Sequence, residues 1–279
     1  MSGTVERGRV SRGIDSDGQK TLNRCMTFAI ASAAYDRFMG RYSTQLAPVF
    51  ADFMKIEPGM RVLDVGCGPG ALAAELARRV GAARVAGVEP SLGFVEAARA
   101  LLPDADIRHG AAEQLPWGDG EFAAALSQLV LSFVTDAEQV ARELKRVVRK
   151  DGVVGACMWQ AGQLQMSELF WEAAATLDPT VRQREASMRY RNPGEIAQLW
   201  QRAGLRDVEE TVLAVSVTYR GFDDFWDPLI TSAGPIGAFM ATIDDAQRSV
   251  IREACRARLG HPQHGFDLAA SACAVRGRV

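Results

Sequence analysis

The sequence predicts an α/β fold, a doubly wound and mainly parallel sheet, and three observations predict it. Val62 to Gly70 reads VLDVGCGPG, two apolar residues, an Asp and another apolar residue running into a Gly-x-Gly-x-Gly turn too tight for side chains. The alanine-rich stretch from Ala71 to Val80 follows, with Leu72, Leu76 and Val80 at helical spacing. From 84 to 158, short apolar runs then alternate with helical segments, the order that builds a sheet covered on both faces.

A chain of 279 residues that is 48% hydrophobic has material for one large α/β core with insertions. A formal net charge of −2 with 24% charged residues leaves no electrostatic footprint for nucleic acid, so a small-molecule partner is the better expectation. Five cysteines lie scattered without a C-x-x-C pair and suit a reducing cytoplasm; with the histidines they make no ligand cluster, so no metal is expected. No apolar run reaches membrane-span length and the N-terminus lacks the apolar core of a signal peptide, so no stable membrane insertion and a cytoplasmic location are expected.

Residues 1–24 have the composition of a disordered tail, and Met26 offers an alternative start. After YDRFMGRYS at 35–43, Leu46, Val49, Phe50 and Phe53 repeat at helical spacing until Glu57, Pro58 and Gly59 turn the chain into the first strand. The second strand, 84–88, ends in Glu89-Pro90-Ser91, and a helix over 92–101 buries Phe94, Val95 and Ala98. The third strand is 106–109. The fourth, 122–126, delivers Ser127 and Gln128 at its carboxyl end, where open α/β sheets bind ligands. Asp136 starts a helix to Val148, Arg149 to Gly152 is read as a turn, and 153–158 is the fifth strand. A helical insertion fills 161–192, a helix resumes over 193–203, and strands six and seven are 205–218 and 266–275, separated by a second insertion at 221–262. Two basic runs, Arg142/Lys145/Arg146/Arg149/Lys150 and Arg248/Arg252/Arg256, read as solvated helix faces.

Asp64 sits two residues before Gly66 and places a carboxylate under the loop formed by Gly66, Cys67, Gly68 and Gly70. A negative group there suits a cationic ligand and repels a pyrophosphate. VLDVGCGPG resembles the first motif of the class I S-adenosylmethionine-dependent methyltransferases, small-molecule enzymes of the ubiquinone and menaquinone biosynthesis type among them. The resemblance implies a seven-stranded Rossmann-like sheet with its last strand antiparallel, so that residues 25–279 form one domain and the insertions near 161–192 and 221–262 add a small, mainly helical cap. It also implies S-adenosyl-L-methionine as cofactor, bound by Asp64, Gly66, Cys67, Gly68 and Gly70, with Gly68 expected to leave no room for a side chain between the backbone and the ligand. A carboxylate about 20 residues after the glycines can take both ribose hydroxyls, so Glu89, with Pro90 and Ser91, joins the set. Where the family has Gly-Asp-Ala-Glu this chain has Gly110-Ala111-Ala112-Glu113, so adenine is expected against the backbone of Ala111 and Ala112, against Leu115 or Trp117, or at Glu113. Ser127 and Gln128 should face the methionine end. Leu131-Ser132-Phe133 stands where the family often has Leu-His-His, so no catalytic residue is assigned.

Methyl transfer by in-line displacement to a small hydrophobic or aromatic acceptor is the expected function, and the two insertions together are expected to wall the acceptor pocket, although each single large apolar residue in them reads more simply as the core of a small cap. Gly66, Gly68 and Ala71 also fit G-x-G-x-x-A, which keeps an NAD(P)-dependent oxidoreductase as an alternative. A non-catalytic S-adenosylmethionine-binding module is a third reading, and a homodimer is left open.

Overall fold

A computed structural model describes residues 36–181, 188–230 and 235–279; the expected tail at 1–24, Met26 and Tyr35 lie outside the described residues. The seven strands are β1 (Val62–Val65), β2 (Val85–Glu89), β3 (Asp106–His109), β4 (Phe122–Gln128), β5 (Val148–Leu164), β6 (Arg206–Tyr219) and β7 (Phe266–Arg278). They form one sheet in the order β3-β2-β1-β4-β5-β7-β6. β1 to β5 run parallel, while β7 is antiparallel to both β5 and β6. β1, β2 and β4 are buried along their whole length, which is why each reads as a mainly apolar run rather than an alternation, with Asp64 and the strand-end Glu89, Ser127 and Gln128 as the polar exceptions.

Helices cover both faces: α1 (Arg41–Phe53), α2 (Ala71–Val80), α3 (Leu92–Leu101), α4 (Ala137–Val147), α5 (Gln165–Ala174) and α6 (Glu195–Arg202). Between β6 and β7 come α7 (Phe222–Ile230), α8 (Pro235–Met240) and α9 (Asp245–Arg258). Asp136 caps α4 by accepting from the Gln139 amide, and Asp244 makes a full capping box with Gln247 at α9. Gln128 pairs with Cys157, Leu164 with Ala270 and Tyr219 with Phe266. The helices after β6 therefore leave and re-enter the sheet at the end where β4 and β5 finish, which is the ligand end of an open sheet.

Three expectations need correction. The segment 149–152 is a bulge inside β5, where pairing jumps from Phe122↔Val148 to Ala124↔Val153, because strand pairing resumes on both sides of it. Large apolar residues of the insertions do not stand open as a pocket wall: Phe170, Trp171, Phe222, Phe225, Trp226 and Phe239 are all buried. Phe239 meets both Phe170 and Trp171 edge-on at 6.1 and 5.8 Å, so these rings fill the interior between α5 and the later helices. Nor is the arginine row of α9 a solvated face. Arg252 pairs with Asp223 at 2.6 Å and, with Arg256, lies over the Phe222 ring, while Arg248 donates to the Met240 carbonyl.

Candidate functional site: the glycine loop and its cleft

β1 drives into the middle of the sheet and stops at Val65. The chain then turns back through Gly66, Gly68 and Gly70, whose φ values are +74°, +53° and +107°, a region closed to most side-chain-bearing residues. The loop is tied to the next strand, since the amides of Gly66 and Cys67 both donate to the Val88 carbonyl at 2.8 and 3.0 Å. Space constrains the three glycines differently. A Cβ on Gly66 would run into the Val130 side chain, and one on Gly70 would stand 3.2 Å from Leu101. A Cβ on Gly68 would meet no heavy atom within 4 Å. The protein's own atoms thus leave that side of Gly68 open to a ligand, and the left-handed backbone already favours glycine there.

Glu89 ends β2 directly beside this loop and is buried. One carboxylate oxygen accepts the Gly68 amide at 3.1 Å and the other the Ser91 amide at 2.9 Å. Burial raises its pKa, and those two amides, with His109, pull against the rise. The carboxylate is thus oriented by the backbone on either side, with lone pairs left over on both oxygens.

A narrow cleft lies under the loop, lined by Ser43 from α1, Asp64, the 66–69 turn, Ala71 and Leu72 from α2, and Gln128 and Leu129 from the end of β4. Its floor is short of donors. Asp64 is fully buried and neither carboxylate oxygen has a hydrogen-bond partner of good geometry; burial raises its pKa to about 8, opposed by the Ala73 amide and reinforced by the charge of Glu89. Gln128 donates its Nε2 to the Ser43 carbonyl at 3.0 Å, which leaves its buried Oε1 without a partner. Unsatisfied buried acceptors cost about 1–3 kcal/mol each, and more when charged. Three such atoms in one cleft call for a ligand that brings donors and positive charge.

The other anticipated site residues are dispersed. The Cys67 thiol turns away from the cleft into the cluster of Val95, Ala98 and Ile107, and burial raises its pKa. Ser127 donates its Oγ to the Val65 carbonyl at 3.2 Å, so only its backbone is offered to the strand end. Ala111 is exposed and Ala112 buried. Glu113 accepts the Thr135 amide at 2.9 Å at the start of α4, and Trp117 is buried with its Nε1 on Asp106 and its ring edge-on to Phe122. Side-chain contacts from Glu113, Leu115 or Trp117 to an adenine are therefore set aside, since helix capping and the core already use these groups. His109 hydrogen-bonds the Pro90 carbonyl at 3.0 Å.

Ser43 and Leu129 belong to the cleft and carry no signal in the sequence pattern. Ser43 contributes a backbone carbonyl, which carries no sequence signature. Leu129 holds a left-handed φ of +65° at the end of β4, an uncommon place for a leucine. A wider, open hollow lies at the opposite end of the sheet among Arg142, Lys145, Arg146 and Lys150. There Lys145 is spent on the Ala203 and Gly204 carbonyls and Arg146 on Glu143 and Asp119, so we regard it as surface relief. Among the described residues no group of acidic, His or Cys side chains could hold a metal, and no helix is long and apolar enough to cross a membrane.

Comparison with known proteins agrees with this geometry. Residues 63–155 match the family described as "Methyltransferase domain". The malonyl-[acyl-carrier protein] O-methyltransferase of Geobacter sulfurreducens is 32% identical over 157 residues, covering 55% of this chain and 58% of that protein. Nocamycin O-methyltransferase of Saccharothrix syringae is 26% identical over 204 residues, covering 66% and 73%. The match spans only 37% of a 35%-identical transposon protein of Streptomyces fradiae, so the chain covers from about a third to about three quarters of the length of these curated relatives. In fold, the chain is similar to a Haemonchus contortus phosphoethanolamine N-methyltransferase solved with phosphomonomethylethanolamine and S-adenosylhomocysteine, with a TM-score of 0.55 at 17% identity over 93% of this chain and 59% of that one. Residues 63–155 are therefore similar to a methyltransferase domain of the S-adenosylmethionine-dependent kind.

Proposed function

We propose that this protein transfers the methyl group of S-adenosylmethionine to a small, hydrophobic or aromatic acceptor. The observation that carries the reading is the cleft under the glycine loop, where both oxygens of Asp64 and the Oε1 of Gln128 are buried without partners. An amino acid ammonium supplies the three N–H donors and the positive charge this floor needs, whereas a dinucleotide pyrophosphate would bring negative charge onto Asp64. Glu89, held by the Gly68 and Ser91 amides, is the group for the ribose hydroxyls. The backbone of Ala111 and Ala112 remains the reading for adenine.

When bound, S-adenosylmethionine supplies a methyl group on a sulfonium, a leaving group that needs no activation. The chain's task is then to position an acceptor and keep water out. Beyond the end of β4 it offers Leu129, Val130 and the exposed Phe133. These apolar groups favour an apolar acceptor. Of the histidines, His109 is engaged with Pro90, and His261 and His264 lie in the exposed stretch before β7. Tyr42 is buried and its pKa is raised, so it stays a neutral phenol. The acceptor best suited to such a site carries its own nucleophile, as a phenol, carboxylate or thiol does. Two relatives named as O-methyltransferases are in line with an oxygen acceptor.

Calorimetric titration with S-adenosylmethionine, S-adenosylhomocysteine and NADH tests the cofactor, and formation of S-adenosylhomocysteine across a panel of phenols, quinols and carboxylic acids tests the reaction. Binding of NADH but not of S-adenosylmethionine would replace the proposal with an oxidoreductase. Tight S-adenosylmethionine binding without turnover on any acceptor would favour the non-catalytic module.

A further inference from the structure

β6 is the outer strand of the sheet beyond β7. Its free edge can be read residue by residue from the hydrogen-bond alternation. The Cys157 carbonyl accepts the Leu129 amide on the β4 side, and Gly152 bonds Val279 on the other side, so odd residues of β5 face β4 and even ones face β7. Following Cys157↔Ala274 and Ala274↔Thr211 across the sheet, the odd residues of β6 bond to β7 and the even ones point outward. Val212, Ala214 and Ser216 are all exposed, and among the described residues nothing meets their outward N–H and C=O groups.

Natural sheets protect such an edge with charge, proline or a bulge. From Thr211 to Tyr219 this strand has neither a charge nor a proline. Protection appears only at the ends of the stretch. Glu210 stands at one end, and at the other the outward Thr218 carbonyl is taken by the Arg41 guanidinium at 2.7 Å.

We infer that β6 is an assembly edge, on which a second copy of this chain pairs antiparallel about a twofold axis at Ala214. In that register Ala214 meets Ala214 of the partner subunit and Val212 meets Ser216 of the partner subunit, so these three outward residues exchange both of their backbone bonds. The register is also self-complementary in charge. Glu210 of the partner subunit falls opposite Thr218 and therefore beside the cluster in which Arg41 and Arg220 share Asp224, which keeps one net positive charge; the same pairing recurs at the other end by symmetry. Sliding the strands until the Glu210 residues face one another would place like charges together, which disfavours that alternative. The result is one continuous sheet through both copies, with the two cofactor clefts on outer portions of the assembly.

The test is sedimentation velocity of the full chain over a broad concentration range, with hydrogen exchange at Val212, Ala214 and Ser216 read in parallel. A reversible dimer whose formation protects these amides is expected. Ala214→Pro removes an outward amide without touching the β7 ladder, and Val212→Lys places a charge on each edge; each should weaken the dimer about tenfold or more. Glu210→Arg should weaken it most at low salt. Circular dichroism and S-adenosylhomocysteine binding report whether each variant is folded, and Val212→Lys, at a site already exposed, serves if the proline variant is not. A monomer at every concentration overturns the inference, whether these amides are unprotected or are protected within one chain by its own N-terminal residues. So does a dimer that the folded variants leave unchanged.

Discussion

At the scale of single residues, Asp64 makes the sharpest expectation. Its side chain titrates near 8 in the folded protein against an ordinary value of 3.8, because burial penalises the charged form. The folded state therefore holds this proton more tightly than the unfolded chain. Its favourable contribution to stability is complete below about pH 4 and is lost as pH rises through about 8. A cationic ligand reverses the preference. Binding of S-adenosylmethionine at pH 7 should release close to one proton, and the apparent affinity should rise about tenfold per pH unit below pH 8. Calorimetry in buffers of different ionisation heat measures this directly; equal heats after correction would show that Asp64 does not meet the ligand's charge. Glu89→Ala should weaken cofactor binding by about 1.5–3 kcal/mol, the range for hydrogen bonds to a charged group. A folded variant with unchanged affinity would remove Glu89 from the ribose site.

Single elements are positioned by contacts that no local pattern announces, and α1 illustrates this. It reaches the cleft through Ser43 while its preceding residue, Tyr42, accepts the hydroxyl of Tyr219 from β6 at 3.1 Å, both phenols being buried. Removing one hydroxyl leaves the other unsatisfied. Tyr42→Phe should cost about 1–3 kcal/mol in chemical denaturation, and adding Tyr219→Phe should recover part of the loss. Additive losses in the double variant would mean that the two hydroxyls do not act as a pair. What was legible beforehand was local: β1, its glycine turn and Glu89 follow from a short contiguous pattern, and the fully buried strands follow from mainly apolar runs. Sequence could not show that 149–152 folds back into β5, because a bulge is defined by the neighbouring strand. The same holds for Glu113, whose carboxylate serves a helix start 22 residues away, and for the arginines of α9, whose ring and carboxylate partners lie on α7.

Across the whole molecule, the two insertions act as one body because their aromatic residues close on each other. Phe239 of α8 bridges Phe170 and Trp171 of α5, so it belongs to the interior that joins both insertions. Phe239→Ala should cost about 3–5 kcal/mol of stability, as expected for truncating a buried aromatic side chain. Denaturant unfolding with the methyl acceptor absent measures it. Unchanged stability together with a raised acceptor KM would instead place Phe239 on a pocket wall.

The position of β7 has a consequence for how the chain is made. Of the seven strands this one is made last, yet it occupies the place between β5 and β6. Until it arrives, β6 has no hydrogen-bonding neighbour in the sheet and β5 presents an open side. Translation thus leaves the sheet in two unjoined pieces, and the closing step inserts a 13-residue strand between them on both of its edges at once. Such closure depends on contacts distant in sequence and is correspondingly slow. During that interval the uncharged stretch of β6 is exposed on both sides, which makes the nascent chain most vulnerable to mispairing just before β7 emerges.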